Sequence, residues 1–394
     1  MVHPSQQPAD SRSLSPRTKS IPLRSFGKLN WKVSALGFGA MRLPVINKNQ
    51  TEQVDGSKAV RLIRHAIDLG VNYIDTAYPY HNEKSEGVVG KALKNGYREK
   101  VKIATKLPSW LLEKPEDFDK YLDIQLKRLE IDRIDFYLFH AVWKDRWQRI
   151  KSLKMLESAE KAITDGRIQY LGFSFHDQFP LFKEIVDAYD NWTLAQIQYN
   201  FLGEEIQAGT AGLKYAAEKG LAVVVMEPLL GGTIANPSGR IQTIWKEAGK
   251  KPADVALRWL WNKPEISTVL SGMSAMAQVN ENCRSARRYS EGALTREEYA
   301  LIERVKTAYS ELPLVPCTAC KYCMPCPHGV DIPYNFELYN QGLMNKDLGK
   351  ALYTWHFNSS SKASHCQECG VCEEKCPQNI EIIKELKKVE EQFK

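Results

Sequence analysis

Short apolar runs rich in β-branched residues alternate with longer amphipathic segments from residue 33 to about residue 310. This alternation is typical of strand–helix units built around a parallel sheet. In chain order, the strand candidates are SALGFG, NYIDT, VKIATK, IDFYLFH, IQYLGFS, LAQIQYN, LAVVVME and ISTVLSG. Eight such units fit a closed barrel, whose usual length is roughly 250 residues. We therefore predict an α/β fold, a (β/α)8 TIM barrel.

A doubly wound sheet is the alternative architecture for this alternation. It would place a G-x-G-x-x-G phosphate loop after the first strand, and the segment GFGAMRLP does not contain one. Polar residues also follow the predicted strands at their carboxyl ends, which converge on one rim in a barrel. These residues are Asp75, Thr76, Lys106, His140, Ser174, Gln196, Asn200, Glu227 and Ser271.

The composition limits the functions that the chain can serve. A chain of 394 residues can bury one large core and carry a second domain. We predict a flexible basic arm at residues 1–22, a barrel at residues 23–311 and a C-terminal domain at residues 312–394. Residues 1–32 contain six Lys or Arg and one Asp, and so supply +5 of the net charge of +7. Because this charge lies largely in a segment rich in Pro, Ser and Gln, we expect no nucleic-acid partner.

The chain contains no apolar run of the roughly 18 residues that a membrane span needs. Its N-terminus also lacks the apolar stretch of a secretory signal. Eight of the nine cysteines follow residue 316, in segments too closely spaced for an ordinary disulfide framework. We therefore expect a cytoplasmic protein without a membrane span.

Four titratable side chains are candidates for catalysis: Asp75, Tyr80, Lys106 and His140. A phenol has a free pKa of about 10, and a neighbouring ammonium lowers that pKa and makes the phenol a better proton donor. We predict that Lys106 acts in this way on Tyr80, while Asp75 holds Lys106 charged. His140 would donate a hydrogen bond to a substrate carbonyl. Each residue alone also has a structural explanation, so the prediction rests on the combination.

Several segments resemble the aldo-keto reductase family: IDTAYPYHNEKSEGVVGKAL, IATKLP, YLFHAV, GRIQYLGFSFH and AQIQYN. The resemblance covers roughly residues 23–310 and implies the catalytic set named above. It also implies a nicotinamide cofactor, NADP or NAD, extended across the barrel mouth. The implied cofactor contacts are Ser174 and Gln196 at the carboxamide, Glu227, Pro228, Leu229 and Gly231 at the pyrophosphate, Glu281 and Asn282 at the adenine, and in addition Ser271 and Gln278.

The chain departs from the family pattern at four positions. Phe175 stands where many relatives have Asn, and Met226 stands where many have an aromatic residue that stacks on the nicotinamide ring. Gly272 and Gln278 align with the usual Lys and Arg that bind the 2′-phosphate of NADPH. Since a cationic partner normally distinguishes the phosphorylated ribose, the choice between NADPH and NADH stays open.

Two cysteine-rich segments, CTACKYCMPCP and CQECGVCEEKCP, lie in the C-terminal region. The second has the C-x2-C-x2-C-x3-C-P spacing of bacterial two-cluster ferredoxins, in which the fourth cysteine ligates the other cluster. Zinc is the alternative, because C-x2-C pairs also hold tetrahedral zinc. We assign Cys317, Cys320, Cys323 and Cys376 to one 4Fe-4S cluster, and Cys326, Cys366, Cys369 and Cys372 to the other.

The segments between the cysteines are apolar at helical spacing, which predicts a small, mainly helical ferredoxin-like domain. We expect its aromatic residues, Trp355 among them, to pack around the clusters, and we interpret ELPLVP as a linker.

These features together predict an oxidoreductase that transfers a hydride between a nicotinamide and a small-molecule carbonyl or alcohol substrate. Two alternatives are a ferredoxin-linked electron-transfer protein and a nicotinamide- or redox-sensing subunit with little turnover. Nicotinamide exchanges two electrons as hydride, whereas a cubane normally passes one. A redox protein partner or a flavin would reconcile the two, although the sequence contains no definite flavin signature.

Overall fold

A computed structural model describes residues 20–48, 51–289, 294–317, 320–356, 359–376 and 378–394. Most of the predicted basic arm, residues 1–19, lies outside the described residues. The strands are β1 Leu23–Phe26, β2 Leu29–Ser34, β3 Leu36–Gly39, β4 Val45–Lys48, β5 Thr51–Val54, β6 Tyr73–Asp75, β7 Lys102–Leu107, β8 Ile134–Val142, β9 Ile168–Phe175, β10 Leu194–Gln198, β11 Ala222–Met226 and β12 Ile266–Gly272.

The helices lie between and after these strands. In chain order they are α1 Gly56–Asp68, α2 Tyr80–Glu83, α3 Ser85–Leu93, α4 Asp117–Leu129, α5 Lys144–Ser152, α6 Met155–Thr164, α7 Phe179–Asp187, α8 Gly209–Glu218, α9 Gly239–Glu247, α10 Pro252–Trp261, α11 Met276–Arg288, α12 Arg296–Ser310, α13 Ile332–Met344, α14 Lys346–His356, α15 Val371–Glu374 and α16 Ile382–Phe393.

Eight parallel strands close into a barrel in the order β3, β6, β7, β8, β9, β10, β11, β12, with β12 paired to β3. Each of these strands coincides with one of the predicted apolar runs, so the barrel prediction is confirmed. Closure excludes the doubly wound sheet. Strands β7 to β11 are buried along almost their whole length, which explains why they form continuous apolar runs rather than an alternating pattern.

The hairpin of β1 and β2 covers the amino-terminal end of the barrel. Phe26 on this hairpin belongs to the core inside the barrel, and its ring lies 4.8 Å from that of Phe136. Arg24 donates hydrogen bonds to the carbonyls of Trp261 (2.9 Å) and Ile266 (2.7 Å), which fixes the hairpin to the barrel wall. One of the six cations in residues 1–32 therefore has a structural role. With this end closed, a ligand reaches the barrel from the opposite rim.

The C-terminal region is mainly helical, as predicted. Helices α13, α14 and α16 enclose a small core that includes Phe336, Tyr353 and Leu386. The expectation for Trp355 is wrong: its side chain is 61% exposed, because it lies on the outer face of α14. The predicted linker is held in place, since Val315 and Asn340 exchange hydrogen bonds of 2.8 and 2.9 Å.

The C-terminal helices contact the barrel at the loop after β11. The Ser238 hydroxyl lies 3.5 Å from the Leu343 carbonyl, and Met344 packs against the barrel core. Gly231 in this loop has a φ of +63°, and a β-carbon placed on it would lie 3.6 Å from Leu348 Cδ2. The loop is thus enclosed between the two parts of the molecule.

No helix in the described part of the chain is long and apolar enough to cross a membrane.

Candidate active site

A cavity of about 1080 Å³ opens at the carboxyl ends of the barrel strands. It extends from the barrel axis along one side of α11, as far as Arg288, across the loop after β11. Every residue that the sequence predicts for catalysis or cofactor binding lines it: Asp75, Tyr80, Lys106, His140, Ser174, Gln196, Glu227, Pro228, Leu229, Gly231, Ser271, Gln278, Glu281 and Asn282.

Asp75 and Lys106 form a buried ion pair at the floor of the cavity. Lys106 Nζ lies 2.6 Å from Asp75 Oδ1 and 2.8 Å from the Thr76 carbonyl, and the Lys106 side chain is fully buried. Burial alone would lower the pKa of Lys106, but Asp75 and Tyr80 together raise it. Lys106 is therefore a fixed ammonium group and does not reach solvent.

Tyr80 lies beside this ammonium group, with Lys106 Nζ 5.1 Å from the centroid of its ring. Desolvation raises the pKa of Tyr80, and the lowering by Lys106 only partly offsets that rise. The expected net decrease of the phenol pKa is therefore wrong, because burial disfavours the phenolate more than the ammonium favours it. Tyr80 carries its proton at neutral pH, and Lys106 reduces the cost of removing it.

The Tyr80 side chain is held at the start of an unusual turn. His81, Asn82 and Glu83 all have φ between +51° and +65°, which places three consecutive residues in the left-handed region. His81 Nε2 accepts a hydrogen bond of 2.9 Å from the Leu43 amide. A strained backbone of this kind persists only where surrounding contacts determine it, and it frequently marks a functional site.

His140 lies opposite Tyr80, with its ring centroid 5.9 Å from the Tyr80 ring. Desolvation lowers its pKa well below the usual value, and the positive charge of Lys106 adds to this effect. The imidazole is therefore neutral at physiological pH. Its Nδ1 is buried without a hydrogen-bond partner among the described residues. A neutral His140 can donate one hydrogen bond to a carbonyl oxygen, as the sequence predicted.

Ser174 and Gln196 line the wall of the cavity on neighbouring strands. The Ser174 hydroxyl accepts a hydrogen bond of 2.8 Å from the Ala141 amide, so its own proton is available. Gln196 Nε2 contacts the Met226 sulfur at 3.6 Å, and its Oε1 is buried without a partner among the described residues. An unpartnered buried amide oxygen fits a carboxamide ligand. Phe175, by contrast, packs away from the cavity against Phe182.

The loop after β11 stabilises itself with the side chain of Glu227. Its Oε2 accepts a hydrogen bond of 2.7 Å from the Gly231 amide, and the Glu227 main-chain oxygen accepts one of 3.0 Å from Asn200. Glu227 thus holds in place the loop that the sequence assigned to the pyrophosphate.

The distal end of the cavity lies against α11. Gln278 Oε1 accepts hydrogen bonds from the amides of Ser274 (2.8 Å) and Ala275 (3.1 Å), and so caps the helix. Asn282 donates to the Ser271 hydroxyl at 3.0 Å, and both are buried.

Sequence reasoning missed a group of cations at this end. They lie in the loop before α10, on α10 and on α11, and they line the same cavity: Lys250, Lys251, Arg258, Arg284 and Arg288. Arg284 and Arg288 form no ion pair within the described residues, whereas Lys251 pairs with Glu281 at 2.5 Å. Part of the signal was present, because Arg284 and Arg288 lie four residues apart, on one face of α11.

The eight cysteines of the C-terminal region surround two separate cavities. Each cavity contains three cysteines of one segment and the fourth of the other. One is lined by Cys317, Cys320, Cys323 and Cys376, and the other by Cys326, Cys366, Cys369 and Cys372. The structure thus brings together the same two sets that the crossed assignment named. Ile332 lines both cavities.

The two cysteine loops also share a backbone feature. The residue after the second cysteine of each segment has a positive φ, +64° at Lys321 and +78° at Gly370. In both loops this left-handed residue turns the chain between the second and third cysteines. Each set of four thiols thus surrounds a small cavity, as a metal–sulfur cluster requires.

Comparisons with known proteins agree with the barrel and its site. The sequence model of the Aldo/keto reductase family matches residues 35–307, and that of the 4Fe-4S dicluster domain matches residues 316–381. L-galactose dehydrogenase of Arabidopsis thaliana is 28% identical over 312 residues, which cover 72% of this chain and 94% of that protein.

Two solved structures have the same barrel. An aldo-keto reductase of Bacillus halodurans in its holo form has a TM-score of 0.60 and 26% identity, and the match covers 72% of this chain and 96% of that one. An aldo-keto reductase of Klebsiella pneumoniae in complex with NADPH has a TM-score of 0.58 and 23% identity, over 73% and 95% of the two chains. The latter comparison shows the fold.

A closed barrel with a buried acid, lysine and histidine and a half-buried tyrosine at its mouth defines an oxidoreductase of the class that reduces carbonyl groups. The chain belongs to the aldo/keto reductase family, and its C-terminal region is a 4Fe-4S dicluster domain.

Proposed function

We propose that this protein transfers a hydride between a nicotinamide cofactor and a small carbonyl or alcohol, with Asp75, Tyr80, Lys106 and His140 as its catalytic residues. The observation that carries the proposal is the buried Asp75–Lys106 pair next to Tyr80 and His140 at the floor of one large cavity.

The residues of the cavity fit such a cofactor. The unpartnered Gln196 Oε1 and the free proton of Ser174 suit a carboxamide, and the cations at the distal end suit a phosphate. Gly272 and Gln278 lack the phosphate contacts of the family pattern. Arg284 and Arg288, which line the same cavity, would supply such contacts instead. These two arginines favour NADPH, since guanidinium groups bind phosphate well.

The chemistry follows from the positions of the four side chains. A bound reduced nicotinamide supplies a hydride to the carbonyl carbon. Tyr80 gives its hydroxyl proton to the carbonyl oxygen, which becomes the alcohol, and Lys106 stabilises the phenolate that remains. Asp75 keeps Lys106 charged and oriented, and His140 donates a hydrogen bond to the same oxygen. Alcohol oxidation uses the same residues in reverse.

Removal of one hydroxyl tests this assignment. In Tyr80→Phe we expect kcat for carbonyl reduction to fall by about 10²- to 10⁴-fold, the usual contribution of a positioned acid. Steady-state rates with short aldehydes, measured with NADPH and with NADH, check the prediction. Tyr78→Phe is the matched control, because Tyr78 packs edge-on against Tyr121 instead of lining the cavity. Equal rates in wild type and Tyr80→Phe would contradict the proposed acid.

A second role concerns the clusters, which supply one-electron chemistry when they are bound. The contact of Leu348 and Leu343 with the loop at Gly231 and Ser238 favours electron exchange between this domain and the barrel site. Anaerobic addition of NADPH to the protein with its clusters, followed by EPR, tests this role. We expect a reduced-cluster signal from both clusters, because one hydride yields two electrons, one for each cluster, and a proton that is released to solvent. No signal with NADPH, together with normal reduction by dithionite, would contradict electron exchange between the nicotinamide and the clusters.

A further inference from the structure

A guanidinium group without an ion pair among the described residues lies beside the cavity, at the end of the strand that carries His140. Arg146 is in the first turn of α5, directly after β8, whose end carries His140. Its Nη1 donates hydrogen bonds to the carbonyls of Ala141 (3.0 Å) and His140 (3.4 Å). These bonds turn the side chain back toward the rim.

Two indole rings fix this guanidinium group. Its Cζ lies 3.4 Å from the ring centroid of Trp143 and 5.0 Å from that of Trp110. The Trp110 ring lies 5.3 Å from the His140 ring, so Trp110 connects Arg146 to the residue that would bind the substrate oxygen. A guanidinium group placed between aromatic rings is pre-organised, which reduces the entropy lost when it binds a ligand.

The charge of Arg146 is not balanced by an acid. Among the described residues it forms no ion pair, and its Nε and Nη2 make no hydrogen bond. Electrostatic interactions link it to Arg149, His140 and His176, none of which is an acid. Desolvation lowers the pKa of His176, and Arg146 lowers it further, so His176 is a neutral donor or acceptor that lines the cavity. Lys106 already has Asp75 as its partner, whereas Arg146 has no ion-pair partner among the described residues.

We infer that the substrate carries a carboxylate in addition to its carbonyl or hydroxyl group, and that Arg146 binds this carboxylate through Nε and Nη2 while His176 contacts the chain between the two groups. The planar guanidinium group of Arg146 can donate two parallel hydrogen bonds, from Nε and Nη2, to the two oxygens of a carboxylate. The inference rests on the proposed function, because it places the second group relative to His140.

Paired substrates test the inference. Short aldehydes with a terminal carboxylate are compared with their uncharged amides of equal length, and with phosphorylated aldehydes as a third arm. In wild type we expect kcat/KM to be about 10- to 100-fold higher for the acid than for the amide, the range of a charge-assisted hydrogen bond. Arg146→Gln should remove this ratio, and Arg146→Lys should keep part of it because the charge remains without the fork.

Lys144→Gln is the matched control, because Lys144 is an exposed cation at the first position of α5, two residues before Arg146. This variant should leave the acid/amide ratio of kcat/KM unchanged. Circular dichroism verifies that each variant is folded. An equal rate for acid and amide in wild type, a preference for the phosphorylated arm, or an unchanged ratio in Arg146→Gln would overturn the carboxylate assignment.

A binding measurement distinguishes failure of the carboxylate site from failure of the proposed function. Glutarate is titrated against wild type and Arg146→Gln, with the fluorescence of Trp110 and Trp143 as the signal. Glutarate binding that depends on Arg146, without any carbonyl turnover, would contradict the proposed function and support the carboxylate site. Turnover that depends on Tyr80, without an effect of Arg146 on glutarate binding or on the acid/amide ratio of kcat/KM, would contradict the carboxylate site alone.

Discussion

The barrel and the C-terminal domain both build a site from residues far apart in sequence, but they support those sites in different ways. In the barrel, Lys106 is fully buried and paired with Asp75 inside a wall of hydrogen-bonded strands. In the C-terminal domain, the core is small and Cys372 is itself one of its buried members. The barrel site is thus held by the fold, whereas the C-terminal domain depends on the thiols and on what they bind. Small domains commonly need a metal centre for this reason.

The largest effect expected from this difference is loss of the C-terminal domain when both clusters are removed. The crossed arrangement makes a sharp prediction for double variants. Cys317→Ser with Cys376→Ser removes two ligands of the same cluster, so one cluster and about half of the iron should remain. Cys317→Ser with Cys326→Ser removes one ligand from each cluster, so both should be lost and the domain should unfold. Iron analysis of protein purified without oxygen gives the result.

An uncrossed arrangement would reverse the two outcomes, which makes each double variant the control for the other. Tryptophan fluorescence shows whether the barrel survives, because Trp355 is the only one of the nine tryptophans after residue 311 in the sequence. We expect the barrel signal to persist in both variants. Loss of that signal together with the iron would contradict the independence of the barrel.

The sequence predicted the strands of the barrel and the cluster ligands, but not the packing of the C-terminal helices, and the difference has a physical reason. The strands of the barrel are buried on both faces, so their apolar runs and the polar residues at their ends indicated both the fold and the floor of the cavity. The cysteine spacing indicated the clusters, because ligation requires fixed steps along the chain. The outward position of Trp355 depends on how α14 packs, and periodicity alone did not show it.

The full group of charges at the distal end of the cavity was also beyond the sequence pattern. Lys250 lies in the loop before α10 and Arg284 lies on α11, and only the packing of α10 against α11 brings them together. The raised pKa of Tyr80 has a similar origin, because it depends on the extent of burial and not on which residues are neighbours. Sequence motifs identify the titratable groups, whereas the pKa values of those groups depend on their surroundings in the folded protein.

The smallest effect we predict concerns an ion-pair network at the distal end of the cavity that stabilises the barrel alone. Glu298 on α12 is 3% exposed and accepts hydrogen bonds from Arg258 at 2.6 and 2.9 Å and from Lys250 at 2.9 Å. These contacts, chiefly with Arg258, lower the pKa of Glu298 from 4.5 to about 2. Since one pKa unit corresponds to about 1.4 kcal/mol, Glu298 contributes about 3 kcal/mol to barrel stability at neutral pH.

This contribution is complete above the unfolded pKa and disappears as the pH falls through the folded pKa, because protonation is easier in the unfolded chain. Glu298→Gln should therefore lower the free energy of unfolding at pH 7 by about 3 kcal/mol, and the difference from wild type should shrink steadily between about pH 5 and pH 2. Urea unfolding followed by tryptophan fluorescence measures both values. Glu303→Gln, on the exposed side of the same helix, should change stability by less than about 0.5 kcal/mol. A pH-independent difference for Glu298→Gln would show that lost packing, rather than ionisation, explains its effect. Iron content should be the same in both variants, because neither Glu298 nor Glu303 belongs to the C-terminal domain that holds the clusters.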